Sequence, residues 1–485
     1  MVADATRRPA RATAAALGLL LLAGAPATAQ PLDPDWADCA QQADPERSIR
    51  GCTAILARGD RERRVNRAIA FTNRANAHVA RGDDAAAVGD FSAAIVIDPG
   101  NVEPLLGRGD AYVLRGWLDQ AIADYTAALR LEPQNATALA HRGEAHRVAG
   151  RFEASLTDFD AALRLEPENV IALIGRGDVH RVQGHLDAAR VDLDAALLLD
   201  PGDALALATR GEVHMRQGRF RAALADLDAS LSLRPDDPFA LRSRGEVHRR
   251  AGRFDLALAD LDASLTQEPG NAFALTSRGA LHHQRRDDDQ ALADLDEALR
   301  LAPDSVWALR HRGAVHLRQG RFDPALADLD TAIWLRPADA LLLVDRAVAH
   351  LLRGDSGQAS SDLDQALARN PAQPRGLGLR CVLRLRAGDE AGMADCDRAA
   401  ELAPAANAWP HAARAMMRLG RGDAAPALAD AEEALRRDAE DELALLARAR
   451  VRDRAGDAAG AAADIAAAGR LNPRAAVTFA MIFGE

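Results

Sequence analysis

Histidine returns at a fixed interval in this chain, at His146, His180, His214, His248, His282, His316 and His350, and His78 falls in the same register. A row of imidazoles suggests metal ligation or proton sensing. Zinc needs its ligand nitrogens within about 2.0–2.1 Å. Packed helices stand about 8–10 Å apart, so one histidine per distant interval cannot share an ion with the next. What remains is a partly buried, hydrogen-bonded ring or a pH sensor, and His283, beside His282, adds one neighbour without making a site. A second series is charged. Arginines at 74, 108, 142, 176, 210, 244, 278, 312, 346 and 380 accompany aspartates at 90, 124, 158, 192, 226, 260, 294, 328, 362, 395, 430 and 464. A half-buried guanidinium needs a carboxylate partner, so bidentate pairing within or between neighbouring segments is expected. Asp-Leu-Asp pairs such as Asp226/Asp228 and Asp260/Asp262 place carboxylates two residues apart. On a helix these point to different faces, which unfits them as an acid–base couple. Gly-x-Ser-x-Gly, His-Glu-x-x-His, Gly-x-Gly-x-x-Gly and phosphate-loop patterns are absent. No catalytic constellation emerges, and neither a cofactor nor a metal is expected.

The spacing itself fixes the elements that carry these residues. Proline stands at 99, 133, 167, 201, 235, 269, 303, 337 and 371, each interval 34 residues. Such a period means one supersecondary unit copied many times. In residues 102–133, Leu105, Gly109 and Tyr112 share one helical face, as do Ala121, Tyr125, Ala128 and Leu129. Gly116 ends the first helix, since glycine accepts positive φ, and Pro133 stops the second.

These residues resemble the tetratricopeptide repeat at Leu105, Gly109, Tyr112, Ala121, Tyr125, Ala128 and Pro133. The resemblance covers about twelve repeats over 68–475 and implies an all-α, right-handed superhelical solenoid of antiparallel helix pairs. Residues 30–67 form a degenerate first unit and 476–485 a capping tail. The chain departs from the family in replacing its tyrosine by histidine and the leucine before its glycine by arginine. The register also slips, because Pro371 to Pro404 is 33 residues. Against the family pattern, Cys39 and Cys52 face each other across the first helix pair, and Cys381 and Cys396 fall within a later repeat. They read as two disulfides or as four buried thiols, and the expectation is Cys39–Cys52 and Cys381–Cys396. The resemblance also implies that first helices line a concave groove. There Phe239, Phe273 and Trp307 form an aromatic row, flanked by Arg242, Arg249, Arg250, His283, Arg310 and Arg318. Such a row suits an extended peptide with apolar and acidic groups. The competing expectation is that the rings pack on the preceding repeat.

At the N-terminus Arg7, Arg8 and Arg11 precede an apolar run from Thr13 to Ala25 and the small-x-small sequence Ala27-Thr28-Ala29. This is the pattern of a secretory signal peptide spanning 1–29, which predicts export, periplasmic first and otherwise secreted. Three arginines and one aspartate leave with it, taking the net charge from −11 to −13. So acidic a chain is a poor nucleic-acid ligand. The expected function is a non-catalytic protein- or peptide-binding scaffold of the cell envelope. The alternative is a self-assembling structural factor there.

Overall fold

The computed structural model describes residues 33–483 apart from 42, 390 and 403–406. The leader expected at 1–29 lies outside the described residues, as does Pro404 of the proline series. Among the described residues there are 27 α-helices, one short 3-10 turn at Gly59–Arg61, and no strand. The helices form thirteen successive pairs and one final helix, Ala475–Phe483.

One pair shows why the sequence folds this way. Asn135 caps the helix Ala136–Val148, its side chain accepting from the Ala138 amide at 2.8 Å, which satisfies a donor the helix cannot. Gly150 then turns the chain with φ 73°. Its amide donates to the Arg147 carbonyl, and that of Arg151 donates to the His146 carbonyl at 2.8 Å, closing the helix end. The partner helix Phe152–Leu165 runs back and ends two residues before Pro167. A Cβ on Gly143 would come within 2.9 Å of the Phe159 ring, so only glycine lets this pair close fully. The same closure recurs with Leu261 beneath Gly245.

The chain divides into two compact units, with the boundary between residues 267 and 268. In the first, Leu173, Leu193, Leu207 and Val213 form one core cluster, and a disulfide joins Cys39 to Cys52 across the helices Pro34–Cys39 and Pro45–Leu56. In the second, Leu343, Leu363 and Leu379 pack together, and a disulfide joins Cys381 to Cys396. The register slip is absorbed there: the helix Gly392–Leu402 has 11 residues where its predecessor Ser356–Arg369 has 14.

Candidate peptide-binding face

The arginine of each repeat reaches forward to the aspartate of its own second helix. Arg244 Nε donates to Asp260 Oδ2 at 2.8 Å and Nη2 to Oδ1 at 2.7 Å. Its remaining nitrogen, Nη1, reaches back 16 residues to Asp228 at 2.8 Å. Arg176, Arg210, Arg312 and Arg346 make the same double attachment, to Asp192 and Asp160, Asp226 and Asp194, Asp328 and Asp296, and Asp362 and Asp330. The Asp-Leu-Asp pairs at 192/194, 226/228, 294/296 and 328/330 are therefore split: the first carboxylate serves its own repeat and the second serves the next. Nearer the N-terminus the backward arm ends on a hydroxyl, Thr53 for Arg74, Ser92 for Arg108 and Thr126 for Arg142.

This arrangement corrects the expectation of hydrogen-bonded histidines. Both oxygens of each first carboxylate already accept from arginine, so the imidazoles stand off. Nε2 lies 3.8 Å from the aspartate in His78, His214 and His350, and 3.9 Å in His248 and His282. All eight Nδ1 atoms are buried without a hydrogen-bond partner among the described residues. Burial pushes the pKa of His146, His180, His214, His248, His316 and His350 below the ordinary 6.5. His411 lies in the register of Leu241, buried with neither ring nitrogen paired, and the absence of a repeat histidine at that position hid it from pattern reasoning. Among the described residues no group of three or more His, Cys, Asp or Glu could hold a metal ion.

The face of the first helices turned away from the second helices carries the predicted groove residues. In the unit ending at residue 267, Phe239 is 6% exposed and belongs to the core beside Leu231, Leu241 and Val247. That corrects its expected exposure. The Arg242 guanidinium covers its ring at 4.7 Å and Arg181 approaches at 5.7 Å, so two cations from its own chain occupy the aromatic face. Arg249 grips Glu246 through two bonds of 2.8 Å, and Arg250 Nε adds a third at 2.6 Å. Burial works against the Glu246 charge, yet the two arginines outweigh it and hold the carboxyl below its ordinary value. The pairing extends along this face. Arg147 joins Glu144 to Asp178, and Arg181 joins Asp178 to Glu212. Further back, Asp110 accepts from the Tyr125 hydroxyl at 2.6 Å and lies 2.8 Å from His141 Nδ1.

In the unit beginning at residue 268, Phe273 and Trp307 are half-buried and meet each other, ring centroids 4.7 Å apart. His311 stands edge-on to Trp307 at 5.5 Å. Arg310 Nε and Arg375 Nη1 both donate to Asp345, at 2.5 and 2.7 Å. Two guanidiniums sharing one carboxylate leave this cluster with net positive charge. Arg318 pairs with Asp288, and His283 Nδ1 lies 3.4 Å from the same carboxylate. Burial, then Arg318, push the His283 pKa down. Arg249, Arg250, Arg310 and Arg318, expected to await an acidic ligand, thus already hold carboxylates of their own chain: Glu246 on the same helix, Asp345 on a later first helix, and Asp288 on the preceding helix. Sequence reasoning missed Asp345, Arg375 and His311, as well as Trp409, which occupies the register of Phe239, Phe273 and Trp307 and packs against two core clusters. Its spacing from Arg414, equal to that of Phe239 from Arg244, was the available signal.

Helix pairs stacked in series within each unit, with charged and aromatic side chains on their first helices, define a repeat scaffold. The sequence profile of the tetratricopeptide repeat matches residues 143–204, 208–272, 247–306, 278–340 and 310–374, and that of a TPR repeat matches 109–147. The chain belongs to the tetratricopeptide-repeat family. Among solved structures, a chain of the APC/C hetero-tetramer Cut9-Hcn1 is similar in fold, at 14% identity and a TM-score of 0.57, covering 92% of this chain and 95% of that one. A tetratricopeptide repeat protein from Parabacteroides merdae is 20% identical over 51% of this chain and 98% of its own, with a TM-score of 0.41. YrrB, described as a TPR protein with an unusual peptide-binding site, is 25% identical over 38% of this chain and 95% of its own, with a TM-score of 0.30. No curated protein sequence matches the chain. Among the described residues no helix is long and apolar enough to cross a membrane.

Proposed function

We propose that this protein is a non-catalytic scaffold of the cell envelope that binds a protein or peptide partner, anchored at Phe273 and Trp307. The observation that carries this reading is the half-exposed aromatic pair beside the positively charged Arg310–Asp345–Arg375 cluster. Buried cores complete their aromatic contacts, whereas interfaces enrich tryptophan and arginine in partly open pockets. An apolar side chain followed by an acidic one complements the rings and the surplus charge. Export is supported by the leader pattern of residues 1–29 and by the two joined cysteine pairs, which persist in oxidising compartments.

Capture from an envelope extract tests the reading. Phe273→Ala with Trp307→Ala should abolish recovery of a discrete partner while leaving helicity and melting nearly unchanged. If melting falls by the roughly 3–5 kcal/mol that truncating a buried aromatic costs, the pair is core and not an anchor. Light scattering of the purified chain separates a binder, which stays monomeric, from a self-assembling factor.

A further inference from the structure

The final helix, Ala475–Phe483, reaches beyond the last helix pair, Glu442–Arg454 and Ala458–Leu471, against which it also packs. Ala475, Phe479 and Ile482, spaced i, i+4, i+7, are buried, while Val477 is 48% exposed. The buried three join a cluster with Leu352, Val382, Met416, Leu445 and Leu446, and the helix lies against Ala340–Arg353, Pro374–Arg386 and Glu442–Arg454. Two of these first helices belong to repeats well before the last, so the tail turns back along the inner face and does not simply close the end of the stack.

Two further observations suggest recognition. Val348, Val382 and Met416 occupy the register that holds Asp178, Glu212 and Glu246 earlier in the chain. The inner face thus changes from paired charge to apolar surface over the stretch that the tail covers. At the other end of the tail, Arg386 Nη1 donates to the carbonyl oxygens of Ile482 at 3.2 Å and Met481 at 3.4 Å. The last carbonyls of a helix are in general left without intrahelical donors, and a cation there also meets the negative end of the helix dipole.

We propose that this apolar stretch is a receptor for a short amphipathic helix, and that Ala475–Phe483 is its resident, displaceable occupant. The partner class is a helical segment presenting a small, an aromatic and an aliphatic residue at i, i+4, i+7, with its C-terminal carbonyls against Arg386. Only residues 472–474 separate the tail from the preceding helix, Ala458–Leu471. So short a tether gives the resident a high effective concentration, and an external helix must compete against it. The proposal deepens the scaffold reading and rests on it, but its test needs no natural partner. Failure here leaves capture at Phe273 and Trp307 standing.

The test uses the full chain and a fluorescein-labelled peptide of residues 474–485, followed by anisotropy. Phe479→Asp with Ile482→Asp releases the resident helix; the peptide should then bind at least about tenfold more tightly than it does to the parent. Adding Arg386→Glu should remove most of that gain. Equal binding to parent and released chain, or none to a released chain of native helicity, overturns the proposal. Hydrogen exchange decides the matter should the released chain fail to fold. In the parent, amides of 475–483 should open at least about tenfold faster than those of 442–471, and Arg386→Glu should accelerate only the tail. Exchange of 475–483 solely through global unfolding would make the helix a fixed cap and overturn displacement. A parent dimer that Arg386→Glu dissociates would assign the helix to a second copy, overturning the intramolecular occupant.

Discussion

Arg244 illustrates what a single residue does in this chain. It holds Asp260 and Asp228 at once, and its side chain is one-quarter exposed while that of Asp260 is 10% exposed. Arg244→Leu should therefore destabilise by about 1–3 kcal/mol, because it strands a nearly buried carboxylate. Replacing Asp260 by leucine as well should recover much of the loss, which denaturant titration of the two variants would measure. The pairing with Asp260 was legible because both residues keep the repeat period. The pairing with Asp228 was not, since the two-residue spacing of Asp-Leu-Asp speaks only against mutual contact and is silent about the next repeat. The histidines have a different consequence. Their pKa values lie below the ordinary 6.5 in the folded state, so between the two values the unfolded chain binds more protons. Their stabilising effect is complete above pH 6.5 and is lost as pH falls through the depressed values. Asp441 works with the opposite sign: burial pushes its pKa up to about 6, so the folded state retains its proton more readily. His283 and His411 are held down as well, and His141, beside Asp110, is raised; eight groups against two predict a falling denaturation midpoint on acidification from pH 7 to 5. Substituting phenylalanine at His214 and His248 should shallow that fall, and an unchanged slope would remove the histidines from the explanation.

Among the elements, the turns and the first-helix face were legible to different degrees. The turn glycines adopt positive φ at Gly116, Gly150, Gly218 and their equivalents, but the position is filled by Arg286 at φ 66° in one repeat. A side chain in this region costs about 1–2 kcal/mol. Arg286 lies 3.9 Å from Glu442, a half-exposed contact too weak to offset much of that cost. Arg286→Gly should raise the melting temperature, by no more than the equivalent of about 1 kcal/mol once the greater freedom of glycine in the unfolded chain is counted. A lower melting temperature would mean that the Glu442 contact dominates. The aromatic row was visible as a register, yet Phe239 is core and Phe273 and Trp307 are half-open, because what covers a ring depends on neighbouring helices that the periodic positions do not specify. The slip after Pro371 was visible as a missing residue. Its form, a shortened helix Gly392–Leu402 with Arg380 and Asp395 15 residues apart instead of 16, emerges only when the pair is closed.

For the whole molecule, the 34-residue period made the helix pairs legible from sequence, since each unit contacts its neighbours by the same small set of positions. The division near residue 267 and the return of the tail along earlier first helices were not legible, because neither follows from nearest-neighbour rules. The backward arm of the arginines bears on how such a chain changes length. From Asp160 onward, several repeats end in a carboxylate that fits the arginine of the repeat that follows, and that fit is the same at each junction where it occurs. A gain or loss of one whole period within this stretch would join an arginine to a familiar carboxylate on either side. Closer to the N-terminus, where Thr126, Ser92 and Thr53 take that place, a transplanted segment would meet an uncharged neighbour. The chain thus has a region in which copy number can drift with little penalty, and a founding region in which it cannot.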